Sequence, residues 1–298
     1  LLRASFVPPE PIRDLRDLTR SRSIAVRDRT RQIQRLEKFL EGSGIKLSAV
    51  VSELSGVSSR AMLEALVSGE RDPQVLAALA RGQLKSKVPQ LLEALTGMFR
   101  EHHAFMVRIY LDQIDAHTRI IDALTARVEE AMAPFRLDRE LLSTIPGVST
   151  LVADVIIAET GADMSVFPTS AQLASWAGVC PGSNESAGKI KSSKILPGNK
   201  YIKAALGTAA MAAARSKDTY LAAKYRRITA RRGKPKALVA LEHSILTAVW
   251  NMLANGECYN DPGTDHFTRL DPAKTRNNAI RQLKNLGYDV TLIPPTAA

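Results

Sequence analysis

Cysteine is nearly missing from this 298-residue chain: Cys180 and Cys258 are too few for a disulfide framework or a Cys-based zinc site. Aromatic residues make up only 5% and β-branched runs are scarce, which removes the usual material of a strand-built core. No uninterrupted apolar run approaches the roughly 18 residues of a membrane span, so no membrane partner is expected. The opening, Leu1-Leu2-Arg3, lacks an initiator Met and the apolar stretch and cleavage site of a signal peptide. It reads as the continuation of something longer, in a reducing, cytoplasmic setting.

What is present is helical material. Ala, Leu, Arg and Glu dominate, with 45% apolar and 24% charged residues, a composition that predicts a globular, all-α fold. The length suggests about two domains. Lys and Arg number 41 against 30 acids, a net charge of +11, which favours a polyanionic partner, although charge alone establishes only solubility and non-specific attraction.

Pro8, Pro9 and Pro11 precede a predicted long helix over 12–41, ended by Gly42-Ser43-Gly44. Ile12, Leu15, Val26, Ile33, Leu36 and Leu40 mark its apolar stripe. Shorter helices are expected near 47–54, 59–68, 73–82 and 87–96. Residues 98–133 then run without Gly or Pro up to Pro134. A heptad register places Val107, Ile114, Ile121, Val128 and Phe135 at one position, and Tyr110, His117, Leu124 and Ala131 at the other. That pattern suits a coiled coil or a helix inside a bundle, with His117 a core polar residue. From Leu141 a short helix, a Pro146-Gly147 turn and a second helix starting near Ser149 form a helix-hairpin-helix pattern. The free amides of such a second helix can hold a phosphate oxygen, although plain turns share the pattern. Helices are expected up to Gly178 and near 200–215, 217–231, 234–254 and 275–286. The predicted organisation is a helical region over 1–97, a coiled-coil helix over 98–135, a domain over 136–256 and a tail over 257–298.

The unusual segment is the predicted loop from Cys180 to Asn199, where small residues and hydroxyls surround Lys189, Lys191 and Lys194. From Ser186 to Lys236 there are fourteen Lys and Arg and a single acid, Asp218, a net of +13, while the remaining residues sum to −2. Such a segment fits phosphate-backbone binding; a solvated basic face is the plainer alternative. Ser186 stands on this Gly-flanked, lysine-rich loop, where cations favour a nucleophilic alkoxide and stabilise a pentacovalent phosphorane. Hydrogen bonding is the competing role for it. No nucleophile elbow accompanies His243 or His266, Asp112 and Asp115 suit a solvated face, and Asp154 and Glu159 lie five apart. No metal site is therefore read from the residues.

Several ordered stretches together resemble transposases of the insertion-sequence 110/116/902 family. They are Phe6-Val-Pro-Pro-Glu, Leu142-Ser-Thr-Ile-Pro-Gly-Val, Ala171-Gln-Leu-Ala-Ser-Trp-Ala-Gly-Val-Cys-Pro-Gly-Ser-Asn-Glu-Ser-Ala-Gly-Lys and Gly198-Asn-Lys-Tyr-Ile-Lys. Tyr225-Arg-Arg, Arg232-Gly-Lys, Ala240-Leu-Glu-His-Ser-Ile-Leu and Arg281-Gln-Leu-Lys-Asn-Leu-Gly-Tyr continue the match. The resemblance implies a DNA recombinase that cuts and joins strands through a serine–phosphate intermediate, guided by a bridge RNA and acting as a homo-oligomer. It implies a RuvC-like domain whose DEDD acids bind Mg²⁺, a helical region with a coiled coil, and a transposase domain carrying the serine. Ser186 is then the nucleophile. The expected backbone-binding set is Gly147, Gly188, Lys189, Lys191, Lys194, Lys200, Lys203, Arg226, Arg227, Arg231 and Arg232. The family's acids lie upstream of the Phe-Val-Pro-Pro-Glu stretch, so Mg²⁺ is expected of the family while its ligands are not in this chain. Leu196 and Pro197 stand where the family usually has basic residues, and Lys203 where it commonly has Arg. A non-catalytic DNA- or RNA-binding module and a decayed transposase relic are the alternatives, as is a dimerisation fragment built on the coiled coil.

Overall fold

The computed structural model describes residues 7–182, 184–192 and 194–292; the Leu1-Leu2-Arg3 opening and Phe6 lie outside them. Among the described residues there are thirteen α-helices and one two-stranded ribbon, so the all-α expectation holds. Two compact units form, one of Asp17–Ala131 and the other of Leu1–Arg16 with Met132–Ala298.

In the first unit, α1 (Glu10–Gly42, from Asp17 onward) and α5 (Glu101–Ala131) run antiparallel. The Phe39 ring meets His103 and Tyr110, each with centroids 5.7 Å apart, and Arg22 Nε donates to Thr125 Oγ1 at 2.8 Å at the opposite end. Three short helices fill the connection: α2 (Val57–Val67), α3 (Pro73–Ala78) and α4 (Val88–Ala94). Leu40, Leu47, Met62, Leu63, Leu76 and Leu91 are among the buried side chains of their shared core. The predicted helix over 47–54 shrinks to a single 3₁₀ turn, Leu47–Ala49.

The buried stripe of α5 is Ala104, Val107, Leu111, Ile114, Ile121 and Val128. One predicted heptad position is kept. At the other, Tyr110, His117, Leu124 and Ala131 are half-buried, and buried Leu111 with half-buried Thr118 and Thr125 broadens the stripe beside it. Packing of α5 against α2, in addition to its side-chain contacts with α1, widens the stripe beyond a two-helix seam. The threonines are tolerated there because their hydroxyls donate to the carbonyls of Ile114 and Ile121.

The second unit contains α6 (Arg136–Leu142), α7 (Thr150–Thr160), α8 (Ser170–Ala177), the strands β1 (Asn184–Ser186) and β2 (Lys189–Ser192), then α9 (Lys200–Ala213), α10 (Tyr220–Arg232) and α11 (Lys234–Asn255). The tail adds α12 (His266–Leu270) and α13 (Pro272–Asn285). Ser149 starts α7 by accepting from Val152 N, and Gly161 at φ +86° ends it. Val152, Ala153, Ile156, Ile157 and Ala158 are buried, which makes α7 a core helix rather than an amphipathic one. α11 is the other organiser, packing on α8, α9 and α10. By length and composition it would pass for a membrane span, with a mean hydropathy of 1.4 over its most apolar stretch. Leu241, Ile245, Leu246 and Val249 are instead buried by protein, and Glu242 and His243 interrupt it, as in a core helix of a globular unit.

The Ala-rich face of α9, Ala205, Ala209, Ala210 and Ala213, lets backbone approach closely. Gly147 uses that space: a Cβ there would lie 2.3 Å from Ala209 O, and its φ is +91°. Gly147→Ala should therefore lower stability by about 3 kcal/mol or more, from strain and overpacking together. The check is a lower urea midpoint at an unchanged m-value.

Candidate nucleic-acid interface

The segment predicted as a loop closes on itself into a ribbon. At its base Gly178 and Gly198 touch, so that a Cβ on Gly198 would lie 2.2 Å from Ala177 O. Above them Pro181 bridges Ile195, and Gly182 N donates to Lys194 O at 3.1 Å. β1 and β2 then pair antiparallel, with Ser186 opposite Lys189 and Glu185 opposite Ile190. Ala187 and Gly188, at φ +50° and +73°, supply the two left-handed residues that a tight two-residue hairpin turn needs. Local turn chemistry thus makes a strand pair where composition suggested irregular chain.

Ser186 is the last residue before that turn and is exposed at the ribbon's tip. Among the described residues no base lies within hydrogen-bond reach of its hydroxyl. Directly paired residues point to one face, so the Lys189 ammonium leaves the same face as Ser186. The register shift beside Asn184 makes Lys191 the extra residue of a bulge. Lys189, Lys191 and Lys194 are all exposed, and open space surrounds Gly188.

The other expected residues lie on α9 and α10. Lys200 is exposed on the first turn of α9, its Nζ 5.0 Å from the Tyr201 ring centroid. Lys203 Nζ donates back to Leu196 O at 3.3 Å, so this lysine also steadies the ribbon's return strand. Arg226, Arg227, Arg231 and Arg232 are exposed toward the C-terminal end of α10, with Arg227 4.6 Å above the Phe267 ring of the tail. None of the fourteen cations from Lys189 to Lys236 forms an ion pair among the described residues. Gly147 stands apart from this set, packed on the far part of α9.

The acids of α7 anchor the arrangement. Glu159 is fully buried; Asn199 Nδ2 donates to its Oε2 at 2.6 Å, and Arg16 Nε lies 3.5 Å from the same oxygen. Arg16 also donates to the Glu159 carbonyl at 2.8 Å. Asn199 Oδ1 meanwhile accepts from the amides of Tyr201 and Ile202, capping α9 directly after the ribbon. Asp154, 1% exposed, faces Arg139 at 2.7 Å. Both acids are thus committed to arginines, and among the described residues no three His, Cys, Asp or Glu side chains converge. This donor set does not fit Mg²⁺.

Three cationic or titratable residues missing from the expected set gather beside the ribbon base. Lys224, Lys236 and His243 share a pocket of about 700 Å³ with Ser192 and Lys194. Burial and the nearby Lys224 charge push the His243 imidazole below its usual pKa. Lys236, Val239, Ala240 and His243 repeat at helical spacing along α11, a stripe visible in the sequence although nothing there shows that it faces the ribbon.

A protein-family model described as "Transposase IS116/IS110/IS902 family" matches residues 139–226, from α6 into α10. A Streptomyces coelicolor protein, "Insertion element IS110 uncharacterized 43.6 kDa protein", is 28% identical over 191 residues, covering 63% of this chain and 42% of that protein. The chain thus aligns with less than half the length of that curated relative. The matched span holds the ribbon, Glu159 and Asn199, whereas Arg227, Arg231, Arg232 and the α11 stripe fall beyond it.

Asn199→Ala removes a helix cap and one donor to a buried carboxylate. The expected loss is about 2–4 kcal/mol in urea unfolding.

Proposed function

We propose, from the match of residues 139–226 to the IS116/IS110/IS902 transposase family model, that the chain binds DNA through its basic face and presents Ser186 to a scissile phosphodiester. The carrying observation is the position of Ser186 at the exposed apex of a cation-studded ribbon. In the recombination reaction Ser186 Oγ forms a bond to phosphorus, and the ester bond to one strand end breaks. The serine proton and the electron pair of the broken bond leave that end as a free hydroxyl. Attack by a hydroxyl of the joining strand reverses the exchange and restores the serine. Lys189, on the Ser186 face, is placed to stabilise the negative charge that grows on the phosphoryl oxygens. Lys191 and Lys194 extend the same positive strip along the ribbon, and Lys200, Lys203 and the α10 arginines carry it over the helices.

The exposed tip supports a reaction whose remaining groups arrive from outside the described residues. Mg²⁺ and the acids that the family resemblance implies belong with those groups, as do a guide RNA and a second copy of the chain. The proposed organisation keeps the helix-hairpin-helix, α6, the Pro146-Gly147 turn and α7, within the transposase domain over 136–256, and the α5 helix as a coiled-coil element.

Two measurements test this reading. Duplex binding should weaken steeply with salt, by about 0.9 in log–log slope per phosphate contact. Replacing Arg226, Arg227, Arg231 and Arg232 with Ala should flatten that slope by about 1 for each contact removed. In the intact protein, a DNA adduct that survives denaturation should form with Ser186 and vanish in Ser186→Ala while binding persists. An adduct undiminished in Ser186→Ala would sink the nucleophile assignment, and binding without adduct in either protein would leave a DNA-binding module alone.

A further inference from the structure

The pocket beside the ribbon base joins two features that an extended basic face lacks. It is concave, at about 700 Å³, and it is walled by aliphatic residues of the ribbon and of α11. Its cations come from three elements: Lys194 after β2, Lys224 on α10 and Lys236 on the first turn of α11. Among the described residues no carboxylate lines it. No side chain caps the N-terminus of α11, whose N-cap is Gly233, so the dipole end of a 22-residue helix borders the same space. Lys224 Nζ gives one hydrogen to Ser244 Oγ and keeps two for a ligand.

A bare phosphate needs no apolar walls, and an acyl chain needs no cluster of cations. A nucleotide needs both, a flat apolar plate with phosphate at its edge. The volume lies within the range of small-ligand pockets. A base stacked and paired inside a duplex has no free face to lay against such walls, whereas an unpaired one does. We propose that this pocket holds one unpaired nucleotide, its base against Val179, Pro181 and Val239 and its phosphates on Lys194, Lys224 and Lys236. His243 offers the imidazole on which the base stacks. The inference rests on the nucleic-acid reading above and names what the site beside the ribbon selects: a nucleotide already out of its duplex, or one that is extruded there. Extrusion costs a few kcal/mol, least where the base is unpaired from the start.

The test uses duplexes with 2-aminopurine in a one-nucleotide bulge, fully paired controls, and free 2-aminopurine deoxynucleoside monophosphate. The bulged duplex should bind about fivefold or more tightly than the paired one, the low end of what one stacked base contributes. Val239→Trp fills the pocket and leaves the charge untouched. It should erase that preference and the accompanying 2-aminopurine emission change while paired-duplex binding stays within about twofold. Lys236→Glu, at an exposed first-turn position that accepts an acid, is the second variant should Val239→Trp misfold. It should reduce the bulge preference. A preference that survives whichever variant folds overturns the pocket while leaving the salt-dependent interface standing. If no duplex binds at any salt, the interface fails first, and the monophosphate decides the pocket. Binding sensitive to Val239→Trp then makes a free nucleotide its ligand, and no binding overturns it.

Discussion

A carboxylate with no exposed surface, Glu159, determines where the serine ribbon leaves the protein. Removing a charge from water costs several kcal/mol unless it is met by donors, and Glu159 is met by Asn199 and Arg16. Asn199 is the residue at which the ribbon ends and α9 begins, so one amide side chain answers to two constraints. Its nitrogen satisfies the buried acid and its oxygen satisfies the first amides of the helix. Arg16, arriving from the N-terminal end of α1, closes the group from the other side. The ribbon base therefore cannot shift without exposing or orphaning a buried charge.

From that anchor the chemistry is carried outward along a single short structure. The glycine contact pins the two ends, the Pro181–Ile195 bridge continues the stem, and the hairpin turn sets Ser186 and Lys189 face to face. The rigid part lies in the helices and the Ser186 hydroxyl lies beyond them, exposed. Under the proposed function, such an arrangement would hold the direction of the Ser186 hydroxyl while leaving room for a duplex to approach. Among the described residues no basic side chain of α9 or α10 forms an ion pair, so under the proposed function no internal acid would compete with phosphate for those cations.

Much of this was legible along the chain. Helix positions followed from Gly and Pro punctuation and from apolar spacing, and even the thin helix at 272–285 was anticipated. The concentration of charge between Ser186 and Lys236 is an arithmetic property of the sequence, as is the motif context of Ser186. The ribbon was not seen because its strands have three and four residues, too short for any alternation to register. Its turn depends on Ala187 adopting a left-handed conformation that alanine seldom takes. The burial of Leu111 beside the second heptad position of α5 is not legible in the sequence, which does not say that α2 also packs on that helix.

The buried acids mark the boundary between the two kinds of information. Asp154 and Glu159, five apart on one helix, gave no shared face and no apparent site. Their partners, Arg139, Arg16 and Asn199, lie 15, 143 and 40 residues away along the chain. The residues themselves determined helical class, charge distribution and the lysine-rich context of Ser186, because composition and local propensity act over a few turns. Tertiary structure alone decided that Glu159 holds the ribbon's end, and that Lys194, Lys224, Lys236 and His243 face one pocket. Those facts depend on which distant surfaces meet, and burial of charge sets a large cost on every other meeting.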